Sequence, residues 1–258
     1  MTYLHTEAPH NGAFDRLSRQ AYRIVRTRRG DAATSSLVRA LSRYNTGDQY
    51  DAFDVIEAVT HVHEVESRHH FPTRSSAKTA HILVAGWGFR SQILWDGTRQ
   101  IGDLLAPGDF CHTSSRERES WFSMEACGPA RIAVLDLDLL PERARAAVEL
   151  GQQIQQDDVI RRLRARLVSL GRRDARGRLA YLIAEIHARL AGLGLTKDSA
   201  FDWPFTQEHL ADILGLTPVH TNRVLGRLRG EGLLAVRNRE VTILDLGGLR
   251  HVGAFDGG

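Results

Sequence analysis

At 258 residues the chain is longer than one typical domain and short for two large ones, which predicts a domain of roughly 100 to 150 residues joined to a smaller one. Its 42% hydrophobic residues suffice for packed cores, and its apolar runs fall far short of the ~18 residues of a spanning helix, so a soluble protein without a membrane partner is expected. The net charge is only +3, and two cysteines, Cys111 and Cys127, supply neither a disulfide framework nor the four ligands of an iron–sulfur cluster, which points to a reducing cytoplasm.

In chain order, residues 1–36 come first. Arg16, Arg19, Arg23, Arg26, Arg28 and Arg29 alternate there with Phe14, Leu17, Ile24 and Val25. No apolar secretion core is present, and Glu7 and Asp15 interrupt a pattern otherwise like an organellar transit peptide. The expectation is a poorly ordered basic tail, or a start codon assigned upstream of the true one. From Leu37 to Val59 the apolar positions Leu37, Leu41, Phe53 and Ile56 fit one or two short helices around Asn45-Thr46-Gly47-Asp48. Between His61 and Leu139 the texture changes to short alternating runs: HVHEVE, HILVAGWGF, SQILW, RQIGDLL, SWFSMEA and RIAVLDL. Turn formers such as Asp96-Gly97, Pro107-Gly108-Asp109 and Gly128-Pro129 separate them, which predicts a β-sandwich or small barrel over residues 37–140.

After Pro141, helix formers run unbroken to Leu170, with Ile160, Leu163, Leu167 and Leu170 spaced three and four apart. Such a seam lets one helix pack on its own copy; the competing reading lays the helix on the β domain of the same chain. Gly171 is expected to break it before a second amphipathic helix from Asp174 to Leu193, ended by Gly192 and Gly194. Between positions 161 and 178 stand eight arginines (161, 162, 164, 166, 172, 173, 176, 178) against the single acid Asp174. This stretch suits a polyanion, and equally a solvated helix face.

In TQEHLADILGLTPVHTNRVLGRLRGEGLL, residues 206–234, two amphipathic helices are separated only by Gly215, Leu216 and Thr217. Glycine accepts a left-handed backbone at a corner, Thr217 is a ready N-cap, and Pro218 at the first helical position loses no hydrogen bond. The second helix then turns Thr221, Val224, Leu225 and Leu228 inward and Val219, His220, Asn222 and Arg223 outward, with its positive dipole end and unpaired N–H groups presented. A helix held this way fits a major groove of double-stranded DNA, where arginine bridges guanine O6 and N7 and asparagine bridges adenine N6 and N7. GLLAV, RNR and EVTILDL form a hairpin after it, with Arg237 and Arg239 at the tip, and FDWPF supplies a short strand before it. Helix-turn-helix plus hairpin is a winged helix, and a basic wing tip is placed to touch phosphate.

The stretches LVSLGRRDARGRLAYLIAEI (167–186), FTQEHLADILGLTPVHTNRVLGRLRGEGLL (205–234) and LLAPGDF (104–110), with GWGFR and DGTRQI as weaker support, resemble the Crp/Fnr superfamily of bacterial transcription regulators. The resemblance runs from about Leu37 to the C-terminus. It implies an α+β chain: a cyclic-nucleotide-binding-like β-roll that senses an effector (37–140), a long dimerisation helix (141–170) and a C-terminal winged helix-turn-helix that binds DNA (171–258). It further implies a homodimer seamed along Ile160, Leu163, Leu167 and Leu170, an inverted-repeat operator, and RNA polymerase as a partner. Thr217 and His220 match phosphate contacts, Val219 and Arg223 match base readers, and Thr206, Pro218, Asn222, Arg237 and Arg239 complete the DNA-binding set. Family members commonly carry glutamate where Val219 stands, so their operator preference does not transfer. Cyclic-nucleotide binders follow the PGDF-like turn with Gly-Glu and a phosphate-clamping arginine; here CHTSSRERES follows and Glu119 occupies the clamp position, so cyclic AMP is not the expected effector. No cysteine cluster precedes Cys111, so the oxygen-sensing cofactor of other members does not transfer either, and effector and cofactor stay unassigned.

Histidine is densest in THVHEVESRHHF, where His61 and His63 share one strand face and His69, His70 and His81 follow, with His112 after PGDFC. This keeps an alternative open: a β-roll metalloprotein, either a cupin-like enzyme or a haem or metal sensor, built on His61, His63 and His112. Against it, Glu66 follows His63 too closely and the glycines that bracket cupin motifs are missing. Surface histidines on a polar strand face are the plainer reading, no Walker loop or nucleophile elbow is present, and no metal site or catalytic residue is assigned.

Overall fold

The computed structural model describes residues 22–25, 52–71, 78–111 and 123–255. Its strands are β1 (Tyr22–Val25), β2 (Val59–Val65), β3 (Thr79–Ala85), β4 (Gly88–Ile93), β5 (Arg99–Leu105), β6 (Ser123–Ala126), β7 (Ala130–Asp136), β8 (Ala200–Asp202), β9 (Leu234–Arg237) and β10 (Glu240–Ile243). The helices are α1 (Ala52–Glu57), α2 (Glu142–Arg172), α3 (Ala175–Gly192), α4 (Gln207–Leu214), α5 (Pro218–Gly230) and α6 (Leu246–Gly253).

Two antiparallel sheets build the N-terminal half, one in the order β1-β2-β7-β3 and one in the order β5-β4-β6. The run HILVAGWGF, expected as one segment, divides between them. Gly86 adopts φ +82° and a Cβ there would stand 2.3 Å from the Pro129 carbonyl oxygen, so the chain turns at Gly86 and Trp87 and changes sheet. Val65, Phe71, Leu83, Leu105, Met124 and Ile132 pack together as one core, while Val62, Ile82 and Leu135 pack under Val55, Ala144 and Val148 of α1 and α2. The reading of residues 1–36 as a tail is corrected at one place: Tyr22–Val25 pairs antiparallel with β2, Tyr22 opposite Val65 and Val25 opposite Val62. A tyrosine and two β-branched residues around one arginine in YRIV suit an edge strand as well as a helix, and the open edge of β2 decides between them.

Helix α2 does not stop at Gly171 but runs to Arg172. A glycine one residue from a helix end costs only about 1 kcal/mol, and the break comes instead at Asp174, whose carboxylate accepts the Gly177 N–H at 2.7 Å and caps α3. Helix α2 lies on the same chain with one face and leaves the other open. Ala144, Val148, Gly151, Gln155, Arg162, Arg166 and Ser169 are buried against the same chain, whereas Ile160, Leu163, Leu167 and Val168 are exposed. Gln155 takes the place of a neighbouring strand: its Oε1 accepts the Phe110 N–H at 2.6 Å and its Nε2 donates to the Phe110 carbonyl at 2.9 Å. Leu170, unlike Ile160, Leu163 and Leu167, is half-buried beside the corner at Gly215.

The arginine-rich stretch 161–178 is corrected as a polyanion surface, because most of its guanidinium groups are engaged within the chain. Arg162 pairs with the buried Asp103, Arg166 with Glu185, Arg176 with Glu231 and Arg161 with Asp158. Arg173 donates to the Gly253 and Ala254 carbonyls, and Arg178 to three backbone carbonyls. A continuous apolar core also crosses the expected boundary at 171: Trp87, Phe89, Ile101 and Leu104 of the β5-β4-β6 sheet region pack with residues of α3, α4 and α5.

Candidate nucleic-acid interface

The corner is built from local contacts. Thr206 Oγ1 accepts the His209 N–H at 3.1 Å and caps α4, with His209 Nδ1 accepting the Thr206 N–H in return. Gly215 takes φ +63° and ψ +44°, its N–H donating to the Ala211 carbonyl. This αL residue ends α4. Thr217 Oγ1 then accepts the His220 N–H at 3.2 Å, and Pro218 opens α5. Thr221, Val224 and Leu228 are buried beneath the helix, and Leu225 is half-buried.

Thr206, Thr217, Pro218, Val219, His220, Asn222 and Arg223 are all exposed, Val219 at 72%. Thr217, Pro218, Val219, His220, Asn222 and Arg223 therefore form one outward surface at the positive end of α5, while Thr206 caps the neighbouring helix. In the wing, β9 and β10 pair with Arg237 opposite Glu240, and Asn238 and Arg239 take φ +49° and +62° as the two turn residues. β8 pairs with β10 on its other side, so Phe201 and Asp202 of the FDWPF segment, with Ala200 before them, form the third strand. The two wing arginines differ. Both are exposed, but Arg239 Nη2 donates to the Pro204 carbonyl at 3.4 Å and lies against Gly128 of the β6–β7 turn.

The winged helix is held to the β5-β4-β6 sheet through α4. Arg99 Nε donates to the Asp212 carboxylate at 2.7 Å, and Gln100 Nε2 to the Asp212 carbonyl at 2.6 Å. Phe89 meets the His209 ring and Trp87 meets Phe205, with centroids 5.1 and 5.3 Å apart. Burial, then the nearby Arg99 guanidinium, lowers the His209 pKa and favours the neutral ring. The periodicity of α4 gave no sign of this polar clamp, because its partners are contributed by a hairpin 112 and 113 residues away.

His61 and His63 meet on β2, their Nε2 atoms 3.1 Å apart. His81 lies on the same face, since Val134 of β7 is the cross-strand partner of both His61 and His81. Burial, then His61, pushes His63 down to about 4. Among the described residues no group of three or more metal-ligating side chains comes together. His112 and Glu119 lie outside the described residues.

A family model described as a Crp-like helix-turn-helix domain matches residues 177–252. The transcriptional activator protein FnrL of Cereibacter sphaeroides is 30% identical over 167 residues, covering 63% of this chain and 67% of that one. The chain belongs to the Crp/Fnr family of transcription regulators. The nitrogen fixation regulation protein FixK of Azorhizobium caulinodans is 26% identical over 179 residues, 68% of this chain and 72% of that one, so the similarity spans about two thirds of such relatives. Two solved structures share the fold. FixK2 from Bradyrhizobium japonicum has a TM-score of 0.59 at 21% identity, over 74% of this chain and 96% of that one. A CooA mutant from Carboxydothermus hydrogenoformans has a TM-score of 0.57 at 18% identity, over 90% and 98%. The N-terminal sheets are thus the β-roll of a Crp/Fnr protein, α2 its long helix and residues from α3 onward its winged helix-turn-helix. Crp/Fnr regulators bind DNA and are not enzymes, so the cupin-like metalloenzyme reading is not favoured. No helix among the described residues is long and apolar enough to cross a membrane.

Proposed function

We propose that this Crp/Fnr protein acts in the cytoplasm as a homodimer that reads an inverted-repeat operator with the N-terminal face of α5. The observation that carries this reading is the exposed set Thr217 to His220, Asn222 and Arg223 standing on the buried Thr221, Val224 and Leu228. Arg223 reads a guanine, and Val219, which cannot accept a hydrogen bond from cytosine, meets a thymine methyl group. Thr217, His220 and the free N–H groups beside Pro218 contact phosphate, with Asn222 and Thr206 at the flanks. Arg237 supplies the stronger wing contact, because Arg239 must first release the Pro204 carbonyl.

The dimer forms along Ile160, Leu163 and Leu167 of α2, with Leu170 at the inner margin. Support comes from the exposure of the first three on a helix whose other face is already buried. RNA polymerase is the further partner, and the β-roll takes an effector other than cyclic AMP. Recovery of bound duplexes from a random pool tests the reading. An inverted repeat with half-site centres about 34 Å apart is the expected product. Recovery of single, unpaired half-sites would overturn it.

A further inference from the structure

From the contacts at the junction of α2, α3 and α4 we infer that Arg178 is a positioning residue for DNA reading: it sets the angle between the long helix and the recognition helix, and with it the spacing of half-sites the protein accepts. This rests on the dimeric, inverted-repeat reading above.

One guanidinium gathers three parts of the chain. Arg178 Nη2 donates to the Leu170 carbonyl at 2.8 Å, Nε to the Arg173 carbonyl at 3.0 Å and Nη1 to the Leu214 carbonyl at 3.0 Å. Leu170 lies in the last turn of α2 and Leu214 ends α4, so two of these acceptors belong to helix C-termini, where carbonyls lack partners in their own helix and the dipole is negative. Arg173 is the C-cap of α2, between the long helix and α3. A planar guanidinium presents donors in several fixed directions; a lysine ammonium concentrates its donors on one atom and cannot span the three.

The same junction packs against the corner. A Cβ on Gly215 would stand 3.4 Å from Leu170 Cδ2 and 3.9 Å from Arg178 Nη1. Only Leu216 and Thr217 separate Gly215 from Pro218 of α5, so the direction of the recognition helix is fixed where Arg178 holds the end of α4. In the dimer, α2 carries the two-fold axis, and the angle from α2 to α5 becomes the separation of the two reading heads.

The test uses the full chain and duplexes bearing the half-site that wild type selects from a random pool. They are arranged as inverted repeats at the selected spacing and at spacings one and two base pairs longer or shorter, beside a single half-site. Each added base pair moves a half-site by about 3.4 Å and turns it by about 35°. Wild type is expected to lose at least about tenfold in affinity at one base pair from its optimum. Arg178→Ala should hold the five spacings within about threefold of each other, bind the best one about tenfold more weakly than wild type, and bind the single half-site unchanged. Arg178→Lys, which keeps the charge and most of the buried stem, should flatten the profile in the same way. A wild-type spacing profile in either folded variant would overturn the inference and leave the dimer reading intact. Equal losses on every duplex including the half-site, or absence of a cooperative melt in both variants, would also overturn it, because Arg178 would then maintain the fold rather than its angle. A flat wild-type profile would overturn both.

Discussion

On the proposed DNA-reading face, Arg223 and Arg237 should do two kinds of work. Arg223 sits one helical turn after Val219 on the exposed face of α5, so Arg223→Ala should cost about 1 to 3 kcal/mol on the selected operator and flatten the preference at one base per half-site. Arg237→Ala should weaken all sequences alike and lower the salt slope by about one unit per half-site. Titrations on selected and scrambled duplexes at several salt concentrations check both; full base preference in Arg223→Ala would refute the recognition-helix assignment. Away from DNA, His63 makes a pH prediction. Burial, then His61, holds its folded pKa at about 4, below the usual ~6.5, so the unfolded chain binds the proton more readily. Its stabilising contribution is complete above pH ~6.5 and is lost as pH falls toward 4. The melting temperature should decline across that window, and His63→Gln should make the decline shallower. The neutral rings of His61, His187 and His209 shift in the same direction through burial, so the variant removes a part of the slope rather than all of it.

Among the elements, the corner from Thr206 to Leu234 was legible in the sequence because its determinants are local. Thr206 and Thr217 cap the helices that follow them within three residues, and Gly215 supplies the αL position between those helices. The strands were less legible. HILVAGWGF reads as one apolar run, and only the approach of Pro129 to Gly86 reveals that it serves two sheets. Helix α2 lies between these cases, since its periodicity showed an apolar stripe without saying which face meets the same chain. The exposed stripe carries the dimer prediction. Leu167 is 72% exposed in the single chain, so Leu167→Asp should leave its fold unchanged and yet place an unpaired charge in the dimer seam. Light scattering at micromolar concentration should then report monomer; a dimer would move the seam elsewhere.

The whole molecule is joined by contacts between the β-roll and the helices that follow it. Asp103, 3% exposed, accepts from Arg162 Nε at 2.9 Å and from Arg90 Nη1 at 3.1 Å, linking β4, β5 and α2. Burial alone would raise its pKa, but Arg162 and Arg90 outweigh burial and hold the carboxyl below its ordinary value. Asp103→Asn keeps the shape while leaving two guanidinium groups without their counter-charge, and should destabilise the protein by about 3 to 5 kcal/mol, a melting shift on the order of 10 °C. Lys78→Ala, which removes the exposed pair with Asp138, should leave the melt unchanged. Equal shifts for the two variants would mean that burial does not set the strength of these pairs.

By itself the sequence determined the kind of protein. Hydrophobic periodicity, caps and turn residues act over a few positions, and they sufficed for a strand-rich first half, a long helix and a winged corner. Tertiary structure decided where the charges go. The eight arginines between 161 and 178 look alike in sequence, yet Arg162 neutralises a buried aspartate, Arg176 meets Glu231 and Arg178 gathers the ends of two helices. An arginine side chain is long enough to serve solvent, phosphate or a distant carbonyl with equal local propensity. Its role is fixed only when folding brings an acceptor within about 3 Å, and those acceptors lie as far as 59 residues away for Arg162.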